Sequence, residues 1–111
     1  MIKYAVNESK RQVIGWLDHT EWDAHNKICK MIQDTEFCVV PNKKYMMPSQ
    51  FKVVVTCDPR DDFSVETGKQ IAKERLMKNY YAALDKRIDK FREAALIFNE
   101  KIFATSEASE N

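Results

Sequence analysis

FKVVVTCDPRDDFSVETGKQIAKERLMKNY, Phe51 to Tyr80, is a strand that runs through one short loop into a helix. Phe51–Cys57 is rich in β-branched residues, which suit a pleated, half-buried surface. Asp58-Pro59-Arg60-Asp61-Asp62 ends it, because Asp-Pro favours a turn and the residue before proline is pushed out of the helical region. From Ser64 onward the pattern is helical, with no proline after Pro59 and no glycine after Gly68. Asp61, Asp62 and Ser64 are candidate caps, and Thr67 with Gln70 fits a capping box. The helix is expected over about 64–104.

Working outward, residues 2–6 and 11–17 are two more strands around the polar connector Asn7-Glu8-Ser9-Lys10, a hairpin signal. Gly15 inside the second suggests a bulge or a close backbone approach. Thr20, followed by Glu21 and Asp23, can cap a helix over about 20–33. Trp22, His25, Ile28, Cys29 and Ile32 recur on its face at spacings of three and four. Phe37-Cys38-Val39-Val40 reads as a short buried strand, and Pro41–Lys44 as a turn. Tyr45-Met46-Met47 then extends the pairing. The expected fold is α+β: an antiparallel sheet of about four strands in ββαββα order, with the long last helix packed on it. One domain over 1–104 and a polar tail over 105–111 follow, since 111 residues are too few for two comfortable cores.

The helix carries the strongest periodicity. Met77, Tyr81, Leu84, Ile88, Phe91, Ala95, Phe98 and Ile102 are spaced alternately by four and three, a heptad seam. Upstream, Val65, Ile71, Ala72, Leu76 and Tyr80 broaden the stripe, as packing on a sheet requires. Some forty helical residues would span roughly 60 Å, whereas a compact domain of this size has a radius of gyration of about 13 Å. The far half therefore needs a partner helix. Either the chain breaks near Asn79 or Asn99 and folds back, or it pairs with a second subunit. The missing Gly and Pro favour a homo-oligomer, closed through Tyr81, Leu84, Ile88, Phe91, Phe98 and Ile102.

Composition excludes more than it names. Eighteen basic side chains against seventeen acidic ones leave a net charge of +1, which argues against a dedicated non-specific DNA binder and against an acidic DNA mimic. No apolar run can span a bilayer, and the charged residues after Val6 do not fit a signal peptide. Cys29, Cys38 and Cys57 are odd in number and irregular in spacing, so reduced thiols in a cytoplasmic protein are expected.

Four constellations bear on chemistry. His25 and Cys29 stand at i and i+4, with His19, Cys38 and Cys57 elsewhere, but no Cys-x-x-Cys accompanies them and core packing explains them better than zinc. Cys57 lies where a helix N-terminus can favour a thiolate, against which Asp58, Asp61 and Asp62 work. Those aspartates lack the glycine and alternating oxygens of a calcium loop, and capping accounts for them. Phosphate recognition carries most weight: Arg60, Lys69, Lys73 and Arg75 lie in or near the first turns of the long helix, where backbone amides favour anions. No glycine-rich loop accompanies them, so a Walker-type NTPase is excluded. Tyr80 and Tyr81, adjacent on a helix, cannot face one core together. No catalytic or cofactor motif stands out, and a non-enzymatic protein without cofactor is expected.

Cys57, Pro59, Asp61 and Phe63, followed by Gly68, Ile71 and Ala72, form a C-x-P-x-D-x-F…G-x-x-I-A pattern at the strand-to-helix junction. It resembles a pattern in small uncharacterised proteins of Gram-positive phages and prophages. The resemblance covers fewer than twenty residues and assigns no functional residue. It implies an accessory protein, cytoplasmic in the host and oligomeric, that counters bacterial defence by binding. Such a protein blocks an effector such as a CRISPR nuclease, or sequesters a nucleotide signal. A nucleic-acid or nucleotide binder using the basic helix start, and a small phage assembly protein, are the alternatives.

Overall fold

Strands Ile2–Asn7 (β1) and Gln12–Asp18 (β2) form an antiparallel hairpin, and Gln50–Thr56 (β3) pairs antiparallel with the other edge of β2. Helix Asp23–Ile32 (α1) and a 3-10 turn at Lys43–Tyr45 connect β2 to β3, and helix Val65–Glu110 (α2) follows. The computed structural model describes residues 1–32 and 43–110, with side chains as far as Ile97. The fold is mixed α+β, with three strands among the described residues; the fourth, expected at Phe37–Val40, lies outside them, as does Cys38.

Alternation in a strand sends successive side chains to opposite faces, and the register sorts them. Val6, Val13 and Val55 form one cross-strand row, Tyr4, Gly15 and Val53 the next, and Ile2, Leu17 and Phe51 a third. The first part of α2 crosses this face. Two glycines set the distance. A Cβ on Gly68 would stand 2.5 Å from Val13 Cγ2, and one on Gly15 would stand 3.1 Å from Leu76 Cδ1 and 3.3 Å from Ala72 Cβ. The pairing runs through Gly15 without interruption, so this glycine marks a close approach and not a bulge. Val13, Ala72 and Leu76 are fully buried as a result.

Helix α2 begins where Ser64 caps it: the Thr67 amide donates to Ser64 Oγ (3.3 Å) and the Gly68 amide to the Ser64 carbonyl (3.0 Å). Ser64 therefore holds the cap position, ahead of the box read at Thr67 and Gln70. The helix is assigned to Glu110, through residues expected as a polar tail. At 46 residues it is about 69 Å long at the standard rise, and it sets the longest extent of the molecule, 75 Å.

Beyond the sheet, α2 meets a second cluster. Ala24 and Ile28 of α1, Tyr45 and Met47 of the connection, and Leu84 and Ile88 of α2 are buried together, with Phe91 packed against them. Phe91 lies edge-on to Tyr45 at 5.8 Å between ring centroids. This corrects the expectation that the seam from Leu84 onward stands in water until a second helix arrives. The chain's own connection covers Leu84, Ile88 and Phe91. Arg87 fastens that cover, donating from Nε to the Met46 carbonyl (3.0 Å) and from Nη1 to the Ala83 carbonyl (2.9 Å). Tyr45-Met46-Met47 is thus a turn that inserts two apolar side chains, not a strand extension; its anchor is the Met47 amide on the Glu21 carbonyl.

Thr20 does not cap α1 with its side chain. It is buried, and its hydroxyl donates to the Pro48 carbonyl at 2.5 Å, so it ties the entry of α1 to the entry of β3. Tyr80 and Tyr81 touch edge-on, 5.3 Å between ring centroids, but differ in burial. Tyr80 turns inward, edge-on to Phe51, and its hydroxyl donates to Asp23 Oδ2 at 2.6 Å. Tyr81 is 51% exposed. Burial first, and the bond to Asp23 second, push the Tyr80 phenol well above its ordinary value.

Two outcomes follow. Gly68→Ala improves helix propensity but drives a methyl into Val13, and should destabilise by about 1–3 kcal/mol in urea titration. Adding Val13→Ala should recover part of the loss caused by Gly68→Ala, so the two changes couple non-additively. The Tyr80 phenol keeps its proton in the folded chain while the unfolded chain releases it near pH 10. Its contribution is full below pH 10 and is lost as pH rises above that. Tyr80→Phe should lower stability at pH 7 by about 1 kcal/mol and flatten the decline above pH 10, read by chemical denaturation across that range.

Candidate functional site

Two surfaces gather functional side chains. The first is the β3–α2 loop that the sequence singled out. The turn joining β1 to β2 closes with the Arg11 amide on the Glu8 carbonyl (3.1 Å), and Arg11 itself adopts φ 54°. A side chain other than glycine rarely takes this left-handed conformation. From there Arg11 Nη2 donates to the carbonyls of Asp61 and Asp58, the latter at 3.3 Å, and stands 3.5 Å from Cys57 Sγ. The Cys57 amide donates to the Arg11 carbonyl (2.9 Å). One residue of the hairpin turn thus holds the whole loop. The Cys57 thiol also faces the carbonyls of Asp58, Asp61 and Asp62 at 3.5–3.9 Å. Below the loop is a cavity of about 290 Å³, reaching from Val13 and Val55 to Phe63, Thr67 and Gly68.

The structure separates the four basic residues expected to hold a phosphate. Arg60 closes on Asp58 through its backbone amide (2.9 Å) and its guanidinium (3.2 Å), and this holds the Asp58 carboxyl below its ordinary value. Lys69 lies over the Tyr4 ring, 5.7 Å from the centroid. Lys69 and Lys73 share one side of α2, whereas Arg75 falls roughly 120–160° away around the axis at about 100° per residue. None of the four lines the cavity. Among the described residues, no group of three His, Cys, Asp or Glu could hold a metal ion. His25 is buried edge-on to Trp22, His19 is an exposed residue at φ 61°, and Cys29 of α1 and Cys57 of the loop after β3 are half-buried.

The second surface is the sheet face turned away from α2, which sequence reasoning missed. The register that puts Val13 and Gly15 under the helix puts Ile14 and Trp16 on the other side. There Ala5, Ile14 and Val54 form one cross-strand row, and Lys3, Trp16 and Lys52 form the next. Val54 is 44% exposed, an apolar side chain on the edge strand β3. Ala5, Ile14, Trp16, Gln50 and Lys52 line a shallow recess of about 300 Å³. At the far end Asp18 accepts from Gln50 Nε2 (2.7 Å) and pairs with Lys3 at 3.8 Å. Lys52 has no ion-pair partner among the described residues. The signal available in the sequence was parity: Ile14, Trp16 and Val54 are apolar on strand positions that a one-sided sheet would leave polar.

The seam residues proposed for an oligomer contact divide as well. Leu84, Ile88 and Phe91 serve the chain's own core, Tyr81 is exposed, and Phe98 and Ile102 lie beyond the described side chains. Leu96 and Ile97 are 63% and 54% exposed on the same helix. No helix among the described residues is long and apolar enough to cross a membrane.

Removing the Arg11 anchor should free the loop. Arg11→Ala and Arg11→Gly should both speed alkylation of Cys57, read by peptide mass spectrometry, and both should do so to the same degree. Arg11→Gly should be the more stable of the two by about 1 kcal/mol, because glycine takes the left-handed turn without strain. Unchanged Cys57 reactivity in both variants would show that the guanidinium does not hold the loop. Comparison with family models, curated proteins and solved structures finds no match to this chain.

Proposed function

We propose that this chain is a non-enzymatic binding protein that engages its partner through the uncovered face of its sheet. The carrying observation is the row Ala5, Ile14 and Val54 beside Trp16, an apolar surface on which Val54 is exposed and the other three are half-buried. Leaving such side chains in water forgoes on the order of 1.5–3 kcal/mol for each large one, so a face kept this way is suited to being covered by something else. The likeness of the Cys57–Ala72 segment to phage accessory proteins supports a finer reading: the partner belongs to a bacterial defence system, which the protein inhibits inside the host cytoplasm. Self-association remains part of this reading, carried by Tyr81, Leu96 and Ile97 on the outer length of α2.

The basic start of α2 supports the second reading, a nucleotide or nucleic acid held by Lys69 and Lys73, less well. Arg60 and Lys69 are already engaged within the chain, and Arg75 points elsewhere.

Expression of the protein in bacteria that carry defined defence systems tests the proposal. Phage plating should rise at least about tenfold in one such host. Val54→Glu, which leaves the buried face untouched, should abolish the rise while its thermal unfolding stays within a few degrees of wild type. Full protection by Val54→Glu would remove the face from the mechanism, and no protection in any host would remove the defence reading. Light scattering reads the self-association. An assembly larger than one chain should fall to a monomer on Tyr81→Lys with Leu96→Glu; a wild-type monomer overturns it.

A further inference from the structure

We propose that the outer sheet face binds single-stranded nucleic acid, with a base stacked on Trp16 and neighbouring phosphates held by Lys3 and Lys52. The proposal rests on the reading of this face as the binding surface and names its occupant. The strand register favours that occupant over a protein. Trp16 on β2 has a lysine on each neighbouring strand directly opposite it, Lys3 on β1 and Lys52 on β3. Strands lie about 4.8 Å apart, so the two lysine Cα atoms flank the Trp16 Cα across roughly 10 Å. An aromatic platform bracketed by cations is the arrangement that single strands use, bases on the ring and backbone along the charges. The core of a protein–protein contact is instead depleted of lysine.

Shape and rim agree with this. The recess of about 300 Å³ is lined by apolar Ala5 and Ile14, by Trp16, and by polar Gln50 and Lys52. That combination suits a flat heterocycle with polar edges. The face carries one carboxylate, Asp18, and it is engaged by Lys3 and Gln50 at one end of the recess. Lys3 is still 63% exposed over its side chain. A net charge of +1 fits such a local site, which needs two cations and not the broad basic field of a duplex binder.

A short fluorescein-labelled oligothymidylate, titrated by anisotropy against the full chain at several salt concentrations, tests it. Two phosphate contacts to a single strand predict a slope of about −1.4 in log affinity against log salt, and Lys52→Gln should reduce it by about 0.7. Trp16→Ala should weaken binding at least about tenfold. The chain has two tryptophans, so Trp22→Phe isolates Trp16, whose fluorescence should be quenched by the oligonucleotide. Circular dichroism and thermal unfolding establish that each variant is folded. No binding by the wild type overturns the nucleic-acid occupant. So does binding that Trp16→Ala leaves intact and that Lys69→Ala with Lys73→Ala removes, which would move the ligand to α2. Quenching without a salt slope also overturns it, because the phosphates would then make no contact with Lys3 or Lys52. These failures differ from failure of the face itself, because the plating test with Val54→Glu assumes no particular occupant.

Discussion

The contact between Gly68 of α2 and Val13 of β2 fixes the rest of the molecule. With no Cβ on one side and a β-branched residue on the other, helix and sheet meet at a distance that no other residue at position 68 allows without a shift. Gly15 repeats the device one row further along, under Ala72 and Leu76. Two such points, both on β2, define a line along that strand, and α2 follows it from Gly68 to Leu76. Everything downstream on the helix is then aimed. Tyr80 arrives at Phe51 and Asp23, and Leu84 and Ile88 arrive where α1 and the turn at Lys43–Tyr45 can cover them.

That geometry also decides which surface stays open. A single helix can cover one face of a three-stranded sheet, and α1 packs against α2 instead of taking the other face. Ala5, Ile14, Trp16 and Val54 are left as the floor of a second surface, with lysines on either side of the indole. The β3–α2 loop, by contrast, is closed inward. Arg11 reaches into it from the hairpin turn, Ser64 caps the helix, and Arg60 is consumed by Asp58. Cys57 and Asp61 enter this architecture through the backbone amide, the thiol and the backbone carbonyl that meet Arg11, so the junction is held largely by main-chain groups.

Periodicity made three strands and both helices legible, because their signals are local: β-branched runs, a hairpin connector and a long stripe without glycine or proline. The divergence of Tyr80 from Tyr81 was legible for the same reason, since adjacency on a helix fixes it. What covers a stripe is not local. The heptad seam at Leu84, Ile88 and Phe91 reads alike whether a second subunit or Tyr45 and Met47 lie against it, and the latter pair is supplied by a turn with no periodic signature. Thr20 was misread on similar grounds. A threonine before acidic residues is a capping pattern, yet its hydroxyl goes to Pro48, a partner 28 positions away.

The outer face was hidden for a further reason. Lys3, Trp16 and Lys52 are individually ordinary, and the row they form exists only through two strand registers, one of them joining segments more than thirty residues apart. Register is set by the buried face, where Val13 must meet Val55 and Gly15 must meet the helix. Slipping β3 by one residue against β2 would move Lys52 to the buried face and Val55 out of it. The same packing that excludes this slip therefore holds the two lysines opposite the indole. In this molecule the stability of the hidden side and the chemistry of the exposed side are one constraint, expressed on alternate residues of the same three strands.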